Sequence, residues 1–205
     1  MSPIILFLEL KRSTRALNCA PNDAHRVLAQ LSIPKTLKKI APNVRSYDLI
    51  TQNVDGLSPR ALRELEEHIV EVKGDDRPTR SEQPRPESII EMHGKVFEVK
   101  CSANDCDWAV EDDTMPLCPA LGATSNELED IRGGIEYSEK RIDEKDLPRC
   151  AKCGALARPG VVWFGETPLH MSQINTKVFL ADLCLVVGTS SMVSFPCSSP
   201  VLWLI

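Results

Sequence analysis

The sequence predicts an α/β fold, in which a parallel sheet has helices on both faces and a small zinc-binding module is attached. Three observations support this prediction. Residues 47–51 are β-prone and end in the polar run 52–55, as a strand does where an open parallel sheet binds its ligand. Residues 178–188 are apolar enough for a parallel strand that is buried on both faces. Two close cysteine pairs lie between these two strands.

Two helices are predicted in the first half of the chain. Residues 22–31 begin with a capping residue, Asn22 or Asp23, and carry apolar side chains at helical spacing. We interpret His25, in the first turn, as a residue that packs or caps locally. The second helix opens at Ser58-Pro59, because proline suits the first helical turn. Its predicted buried stripe consists of Leu62, Leu65 and Ile69.

The middle of the chain contains two polar segments and one strand. Residues 73–87 contain Gly, Asp, Arg, Pro, Ser and Gln and no apolar side chain, and they predict a solvated, mobile loop. Residues 119–148 are polar and acidic, and we expect them to form an insertion carried by the zinc module. Residues 95–101 alternate as a strand does, with Phe97, Val99 and Cys101 on one face.

The cysteine pairs are the most specific motif by spacing. Cys101 with Cys106, and Cys150 with Cys153, suit the two sides of a tetrahedral zinc ion. Buried thiols and a disulfide are the alternatives, and Cys118 is a substitute ligand because the first pair is loosely spaced. A shell of four thiolates leaves no position for water, so we expect a structural zinc ion and no catalytic one.

The remaining cysteines carry no predicted role. We interpret Cys19, Cys184 and Cys197 as incidental or core thiols. The separation between the two zinc pairs is longer than the roughly 15–20 residues of compact zinc ribbons, and this fits a module with an insertion.

Composition and charge exclude several classes of protein. Of the 205 residues, 42% are hydrophobic and 26% are charged, which is typical of a soluble globular protein. The formal net charge of −5 gives no reason to expect nucleic acid as a direct partner. No apolar run reaches the roughly 18 residues of a membrane-spanning helix, so we expect no membrane partner.

The start of the chain bears on the compartment. Its short apolar run has no basic segment before it, so no secretory signal is predicted. Lys11, Arg12 and Arg15 suggest mitochondrial import, whereas Glu9 argues against it. We expect a reducing compartment, mitochondrial or cytoplasmic and nuclear, and no secretion.

Three short segments carry groups suited to chemistry. His93-Gly94 follows a strand-like run, and a histidine exchanges protons near neutral pH. The turn 52–55 (Gln-Asn-Val-Asp) offers amide groups and a carboxylate that could fix sugar hydroxyls, a carboxamide and a water molecule. The turn 188–191 (Gly-Thr-Ser-Ser) exposes amides and hydroxyls that suit a ribose or a phosphate.

Five motifs in this order resemble those of sirtuins, the NAD-dependent protein deacylases. They are Thr51–Gly56 (Thr-Gln-Asn-Val-Asp-Gly), Glu91–Gly94 (Glu-Met-His-Gly), the two cysteine pairs, Pro159–Glu166 (Pro-Gly-Val-Val-Trp-Phe-Gly-Glu) and Gly188–Ser191. The resemblance runs from about residue 20 to residue 193. The Val-Val-Trp-Phe-Gly-Glu segment is most similar to the branch that removes succinyl, malonyl and glutaryl groups, and the long polar loop is fungal in style.

The resemblance implies the domain organisation. Residues 1–92 would be part of a Rossmann-like dinucleotide-binding domain, with the polar loop 73–87. Residues 93–165 would be the zinc module and the substrate strand. Residues 166–205 would return to the dinucleotide-binding sheet, and the tail 194–205 does not continue the family pattern.

The resemblance also implies an activity. The carbonyl oxygen of an acylated lysine would attack the ribose carbon of NAD and expel nicotinamide, giving O-acyl-ADP-ribose. His93 would act as the general base on a ribose hydroxyl. Asn53 and Asp55 would orient nicotinamide and its ribose. The implied cofactor-binding residues are Gln52, Asn53, Val54, Asp55, Gly188, Thr189 and Ser190. The implied substrate-binding residues are Arg12, Val161, Trp163, Phe164, Gly165 and Glu166.

The sequence departs from the family pattern in three places. No glycine precedes Gly56, so the family's glycine-rich loop for the pyrophosphate is not found. The family's last strands are not found either. Glu9 and Arg12 stand where the acid-acyl branch has a Tyr-x-x-Arg pair. We therefore expect a copy that is incomplete at both ends, with impaired NAD binding. A non-catalytic sirtuin-like scaffold and a zinc-ribbon binding module are the alternatives, which NAD titration separates.

Overall fold

The structure is a computed structural model that describes residues 16–74, 76–114 and 143–188, together with the backbone of residues 201–204. The helices are α1 (Asp23–Leu31), α2 (Pro34–Ile40), α3 (Leu57–Lys73) and α4 (Met171–Leu180). The strands are β1 (Leu49–Thr51), β2 (Ile89–Glu91), β3 (Gly94–Cys101), β4 (Ala109–Glu111), β5 (Ala157–Val161), β6 (Cys184–Val187) and β7 (Val201–Leu204).

The strands form three sheets within the described residues. Strands β1 and β2 pair in parallel, with Leu49 opposite Ile89, and β6 pairs in parallel with β7. Strand β3 lies between β4 and β5 and is antiparallel to both. The predicted α/β class is confirmed, because parallel strand pairs, of which β1 and β2 are connected through α3, stand beside a separate antiparallel sheet that carries the four cysteines.

Helix α1 begins where the sequence predicted. The side chain of Asn22 accepts a hydrogen bond from the backbone N–H of His25 at 3.2 Å, and the ring of His25 accepts one from the backbone N–H of Asn22. This reciprocal capping box satisfies two backbone donors that the helix itself leaves unpaired. The local capping role predicted for His25 is confirmed.

Three apolar clusters hold the elements together. Helix α4 packs on β2 through a cluster in which Ile174 is fully buried, a burial that stabilises the fold by about 1.5–3 kcal/mol. Helices α1 and α3 meet at Ala29, Ala61 and Leu62, as the predicted stripe of α3 requires. The third cluster, around Val96 and Val161, joins β3 to β5 and lies beneath the candidate site.

The alternation predicted for residues 95–101 is wrong in its first half. A bulge separates Lys95, which faces Gly160, from Val99, which faces Pro159. Because the extra residues shift the two-residue period, Val96 is buried before the bulge, and Val99 and Cys101 are buried after it.

The strand predicted over residues 178–188 is shorter and less buried than expected. Helix α4 continues to Leu180, so Val178 packs as a helical residue, and the strand covers only Cys184–Val187. Leu185 and Val187 are exposed, and Cys184 is half-buried rather than in the core. Local apolar composition could not distinguish the last turn of a helix from the first residues of a strand.

The polar loop that follows α3 is held more firmly than predicted. The carboxylate of Glu82 accepts hydrogen bonds from Lys35 of α2 at 2.8 Å and from Lys73 of α3 at 2.6 Å. It also accepts from the backbone and hydroxyl of Thr79. One carboxylate thus connects the loop to two helices.

Among the described helices, none has the length and apolar character that crossing a bilayer requires.

Candidate functional site

The four predicted cysteine ligands converge at one end of the antiparallel sheet. All four sulfur atoms of Cys101, Cys106, Cys150 and Cys153 lie within 4.8 Å of one another. The Sγ atoms of Cys101 and Cys153 are 3.5 Å apart, and those of Cys106 and Cys150 are 3.8 Å apart. Tetrahedral zinc with Zn–S bonds of about 2.3 Å requires sulfur atoms roughly 3.8 Å apart. The cluster therefore fits a zinc ion, and the cysteines are free thiols rather than disulfides.

The environment of these thiols is also suited to a cation. Burial raises the pKa of Cys150, but the backbone N–H groups of Cys153 and Lys152 outweigh burial and lower this pKa to about 7. The backbone N–H of Ala103 lowers the pKa of Cys101, but burial and the neighbouring thiols outweigh it and raise this pKa to about 12. Once one thiol has ionised, the others resist losing a proton because negative charge accumulates. A divalent cation removes that resistance.

A second group of predicted residues meets where β1 and β2 end. Because the two strands are parallel and adjacent, the turn 52–55 and residues 92–93 leave the sheet at the same edge. The backbone N–H of Met92 donates to the carbonyl of Thr51 at 3.1 Å, and that of Val96 donates to the carbonyl of Val54 at 2.9 Å. These bonds hold the start of β3 against the predicted ligand-binding turn.

The backbone fixes the proton on His93. Its Nδ1 lies 3.2 Å from the carbonyl oxygen of Gln52, and a carbonyl oxygen only accepts hydrogen bonds. Nδ1 therefore carries the proton, and Nε2 keeps a free lone pair. The half-buried His93 is in the tautomer that could accept a proton from a ligand through Nε2.

The turn 52–55 is itself shaped by local hydrogen bonds. Asp55 Oδ1 accepts from the backbone N–H of Leu57, the first residue of α3, at 3.0 Å, which is an Asx-turn bond just before the helix. The hydroxyl of Thr51 accepts from the backbone N–H of Asn53 at 3.1 Å. The side chain of Asn53 is left exposed at the tip of the turn.

The segment after β5 lies beside His93. The backbone N–H of Val162 donates to the carbonyl of His93 at 2.8 Å. Residues 163–166 then form a tight turn, closed by a hydrogen bond from the N–H of Glu166 to the carbonyl of Trp163 at 2.9 Å. Phe164 is fully exposed on this turn, while Val161 is buried below it. An exposed aromatic ring two residues beyond a backbone contact with His93 is a suitable contact for an extended ligand.

Comparison with known proteins decides the family. The family model described as Sir2 family matches residues 81–195, which is more than half of the chain. The chain belongs to the Sir2 family. This confirms the resemblance to sirtuins and the predicted dinucleotide-binding type of sheet.

Several curated relatives are similar over most of the chain. The NAD-dependent protein deacylase sirtuin-5, mitochondrial, of Canis lupus familiaris is 33% identical over 86% of this chain and 47% of its own length. The NAD-dependent protein deacylase of Candida albicans is 34% identical over 90% and 59% of the two chains. That of Thermococcus sibiricus is 33% identical over 86% and 48%. The chain spans about half the length of the curated relatives it matches.

Solved Sir2 structures share the fold. A Sir2 homologue bound to ADP-ribose aligns with a TM-score of 0.60 and 26% identity, covering 97% of this chain and 60% of the other. A Sir2 homologue in complex with NAD aligns with a TM-score of 0.52 and 28% identity, covering 87% and 47%. Both solved chains extend well beyond the part matched by this one.

The structure brings together most of the site residues implied by this family. Residues 52–55, His93 and the segment 161–166 are neighbours, and the four cysteines form one cluster. Gly188 ends β6 with a positive φ of 65°, and Thr189, Ser190 and Arg12 lie outside the described residues. Cys118 and Cys197 also lie outside them, so Cys118 is not tested as a ligand.

Sequence reasoning missed one residue of this region. Arg158 is a buried cation inside β5 and contacts both ends of the turn 163–166. The signal was present in the sequence, because a charged residue stands in an otherwise apolar strand, and a buried charge needs a partner.

Proposed function

We propose that this protein acts as an NAD-dependent deacylase of protein lysines. The observation that supports this most directly is the hydrogen bond from His93 Nδ1 to the carbonyl of Gln52, which leaves Nε2 free as a base. The relatives named as NAD-dependent deacylases support the same reading. The complexes of solved relatives with ADP-ribose and NAD support a dinucleotide as the co-substrate.

His93 is the proposed general base. A base whose tautomer is fixed by the backbone needs no rearrangement before it accepts a proton. Since β1 and β2 end side by side, His93 Nε2 would face a ribose hydroxyl held over the turn 52–55. Bound NAD would supply the electrophilic ribose carbon and nicotinamide as the leaving group.

The turn 52–55 would orient the dinucleotide. Asn53 is exposed and has amide groups that match the carboxamide of nicotinamide. Asp55 accepts the backbone N–H of Leu57 with one carboxylate oxygen, which leaves the other oxygen for a water or a ribose hydroxyl. Gln52 and Val54 would position the sugar from the same turn, while Gly188, Thr189 and Ser190 would contact the dinucleotide from the end of β6.

The segment 161–166 would bind the acylated peptide. Within the described residues β5 has a strand partner on one side only, so an extended peptide could add along its continuation. Phe164 and Gly165 would flank the acyl-lysine. An acidic acyl group such as succinyl stays a prediction from the segment 161–166, with Arg12 as the predicted partner of its carboxylate and acetyl as the alternative. The relatives named sirtuin-5, mitochondrial, support a mitochondrial location.

Zinc would act as a brace. Cys101 ends β3, and Cys150 and Cys153 precede β5, so a zinc ion bound to these cysteines ties together the strands that carry His93 and Val161. The four thiolates fill its coordination shell and leave it no direct part in the reaction. The domain boundaries at residues 92 and 165 stay predictions.

The test is nicotinamide release by the purified chain with NAD and a succinylated or acetylated lysine peptide. We expect release that requires the acyl group and falls at least about 100-fold in His93→Gln. His68→Gln, which alters an exposed histidine of α3, is the matched control. Equal release by the His93 variant and the unaltered chain would overturn the assignment of the base. Peptide binding without NAD binding would instead indicate the scaffold alternative.

A further inference from the structure

Arg158 is a cation enclosed in the interior of the strand that leads to the proposed peptide site. It lies in β5, where all five residues are buried, and its side chain is only 10% exposed. Burying a guanidinium is costly unless it is paired and hydrogen-bonded. The partners of the Arg158 guanidinium therefore indicate the structural role of this buried charge.

The guanidinium of Arg158 makes three contacts, one to the last residue of β5 and two to the turn that follows it. Nη1 donates to the carbonyl of Val161 at 3.0 Å, and Nη2 donates to Glu166 Oε1 at 2.5 Å. The guanidinium carbon lies 4.1 Å from the centroid of the Trp163 ring, within the range of a cation–π contact. One planar group thus connects the end of the strand with both ends of the turn 163–166.

Glu166 closes the turn from the other side. Its Oε2 accepts from the backbone N–H of Trp163 at 3.0 Å, while its own N–H donates to the carbonyl of Trp163. Gly165 has a φ of 91°, as the third residue of a type II turn requires. Phe164, at the second position, is left pointing into solvent. The carboxylate that orders this turn is held in place by Arg158.

We propose that Arg158 is a positioning residue for the acylated peptide. By fixing Trp163 and Glu166, it holds the turn in the shape that presents Phe164 and Gly165 beside His93, to whose carbonyl Val162 is hydrogen-bonded. The inference rests on the proposed function in one respect, which is that the turn binds the peptide. Arg158 itself touches neither the peptide nor the dinucleotide.

Lysine cannot replace Arg158 in this role. A lysine keeps the charge, but its ammonium group is a point donor that lacks the planar fork and its stacking on an indole ring. Arg158→Lys therefore removes the geometry and retains the charge. The matched control is Arg149→Lys, because Arg149 is about half exposed and its contacts are to Glu144, away from the turn.

The first measurement is hydrogen exchange at the backbone amides of residues 163–166 in the peptide-free chain. We expect exchange at least tenfold faster in Arg158→Lys than in the unaltered chain or in Arg149→Lys. The second is the Kd for a succinylated or acetylated peptide, measured without NAD at a temperature where all variants are folded. We expect the peptide Kd to rise about five- to tenfold in Arg158→Lys, and the zinc content to stay unchanged.

The two measurements separate the possible failures. Unchanged amide exchange in Arg158→Lys would overturn the positioning role. Faster exchange with an unchanged peptide Kd would also overturn it, because Arg158 would then be structural only. Absence of any peptide binding by the unaltered chain would overturn the proposed function, while amide exchange still decides whether Arg158 orders the turn. If Arg158→Lys does not fold, Glu166→Gln removes the same ion pair from its exposed end. Because Glu166 is itself a proposed peptide contact, amide exchange alone decides there, and unchanged exchange in Glu166→Gln would overturn the positioning role.

Discussion

Gly94 and Gly160 pack backbone against backbone at the junction between the His93 corner and β5. A Cβ atom on Gly94 would lie 2.1 Å from the carbonyl oxygen of Gly160, far inside van der Waals contact. Gly94 also has a φ of 78°, a conformation that disfavours other residues. This close approach brings the strand after His93 directly against the strand that carries the proposed peptide segment.

The first prediction concerns this contact. Gly94→Ala should destabilise the fold by about 2–3 kcal/mol more than Gly74→Ala, measured by urea unfolding. Both glycines have a positive φ, and Gly74, with φ 55° and ψ −120°, lies outside the left-handed helical region, so its alanine variant carries backbone strain as well. A Cβ on Gly74 meets nothing within 4 Å, so the excess destabilisation of Gly94→Ala reports the clash with Gly160. Equal unfolding free energies would contradict the close packing.

The second prediction concerns the metal. The purified chain should contain one zinc ion, and Cys150→Ser should lose it together with stability on the order of 5 kcal/mol, because folding and metal binding are coupled. Metal analysis and thermal unfolding measure the two effects. Cys19→Ser, at an exposed free thiol, is the control and should change neither. Full zinc content in Cys150→Ser would exclude it as a ligand.

The third prediction concerns the pH dependence of the loop after α3. Hydrogen bonds from Lys35, Lys73 and Thr79 hold the pKa of Glu82 well below its usual range. A lowered folded-state pKa stabilises the fold above the ordinary glutamate pKa of 4.5, and this stabilisation is lost as the pH falls below that value.

Glu82→Gln should therefore lower the urea midpoint at neutral pH, and its difference from the unaltered chain should shrink toward about pH 3. Glu67→Gln, at an exposed residue of α3, is the control and should show a difference near zero throughout. A deficit of Glu82→Gln that stays constant across this pH range would show that the ion pairs are not its cause.

The fourth prediction concerns the exposed ring on the turn. Phe164→Ala should leave the unfolding free energy within about 0.5 kcal/mol, because a fully exposed side chain contributes little to the core. The same substitution should raise the Kd for an acylated peptide about tenfold, because a well-packed aromatic contact is lost. Phe179→Ala, at another exposed ring on α4, should leave the peptide Kd unchanged. If Phe164→Ala and Phe179→Ala change the peptide Kd equally, Phe164 is not part of the peptide site.

The sequence was sufficient where one local rule decides the structure. Asn22 is one of the two predicted caps of α1, His25 caps locally as predicted, and the paired cysteines converge as their spacing predicted. The proximity of residues 52–55 to His93 was implied by the resemblance to sirtuins, and it arises because β1 and β2 are adjacent parallel strands that end at the same edge.

Tertiary packing decided the rest. The bulge in β3 arises where Gly94 must approach Gly160 before the strand resumes its pairing with Pro159, and no local pattern encodes that constraint. Glu82 is an exposed acid in a polar run, and its two lysine partners are distant in sequence or on another element. Arg158 could have been noticed as a charge within an apolar strand. Its partner Glu166 could not be predicted, because the turn at Gly165 is what brings that carboxylate back to the guanidinium.

The two halves of the cysteine cluster have a consequence during synthesis on the ribosome. Cys101 and Cys153 are 52 positions apart, so at roughly 5–20 residues per second the first pair waits several seconds for its complement. During that interval β3 can pair with β4, which follows it closely, while its other edge stays open until β5 emerges. The nascent chain therefore passes through a stage with two thiols that lack their metal and a strand edge that lacks its partner, which is the surface that a chaperone would protect.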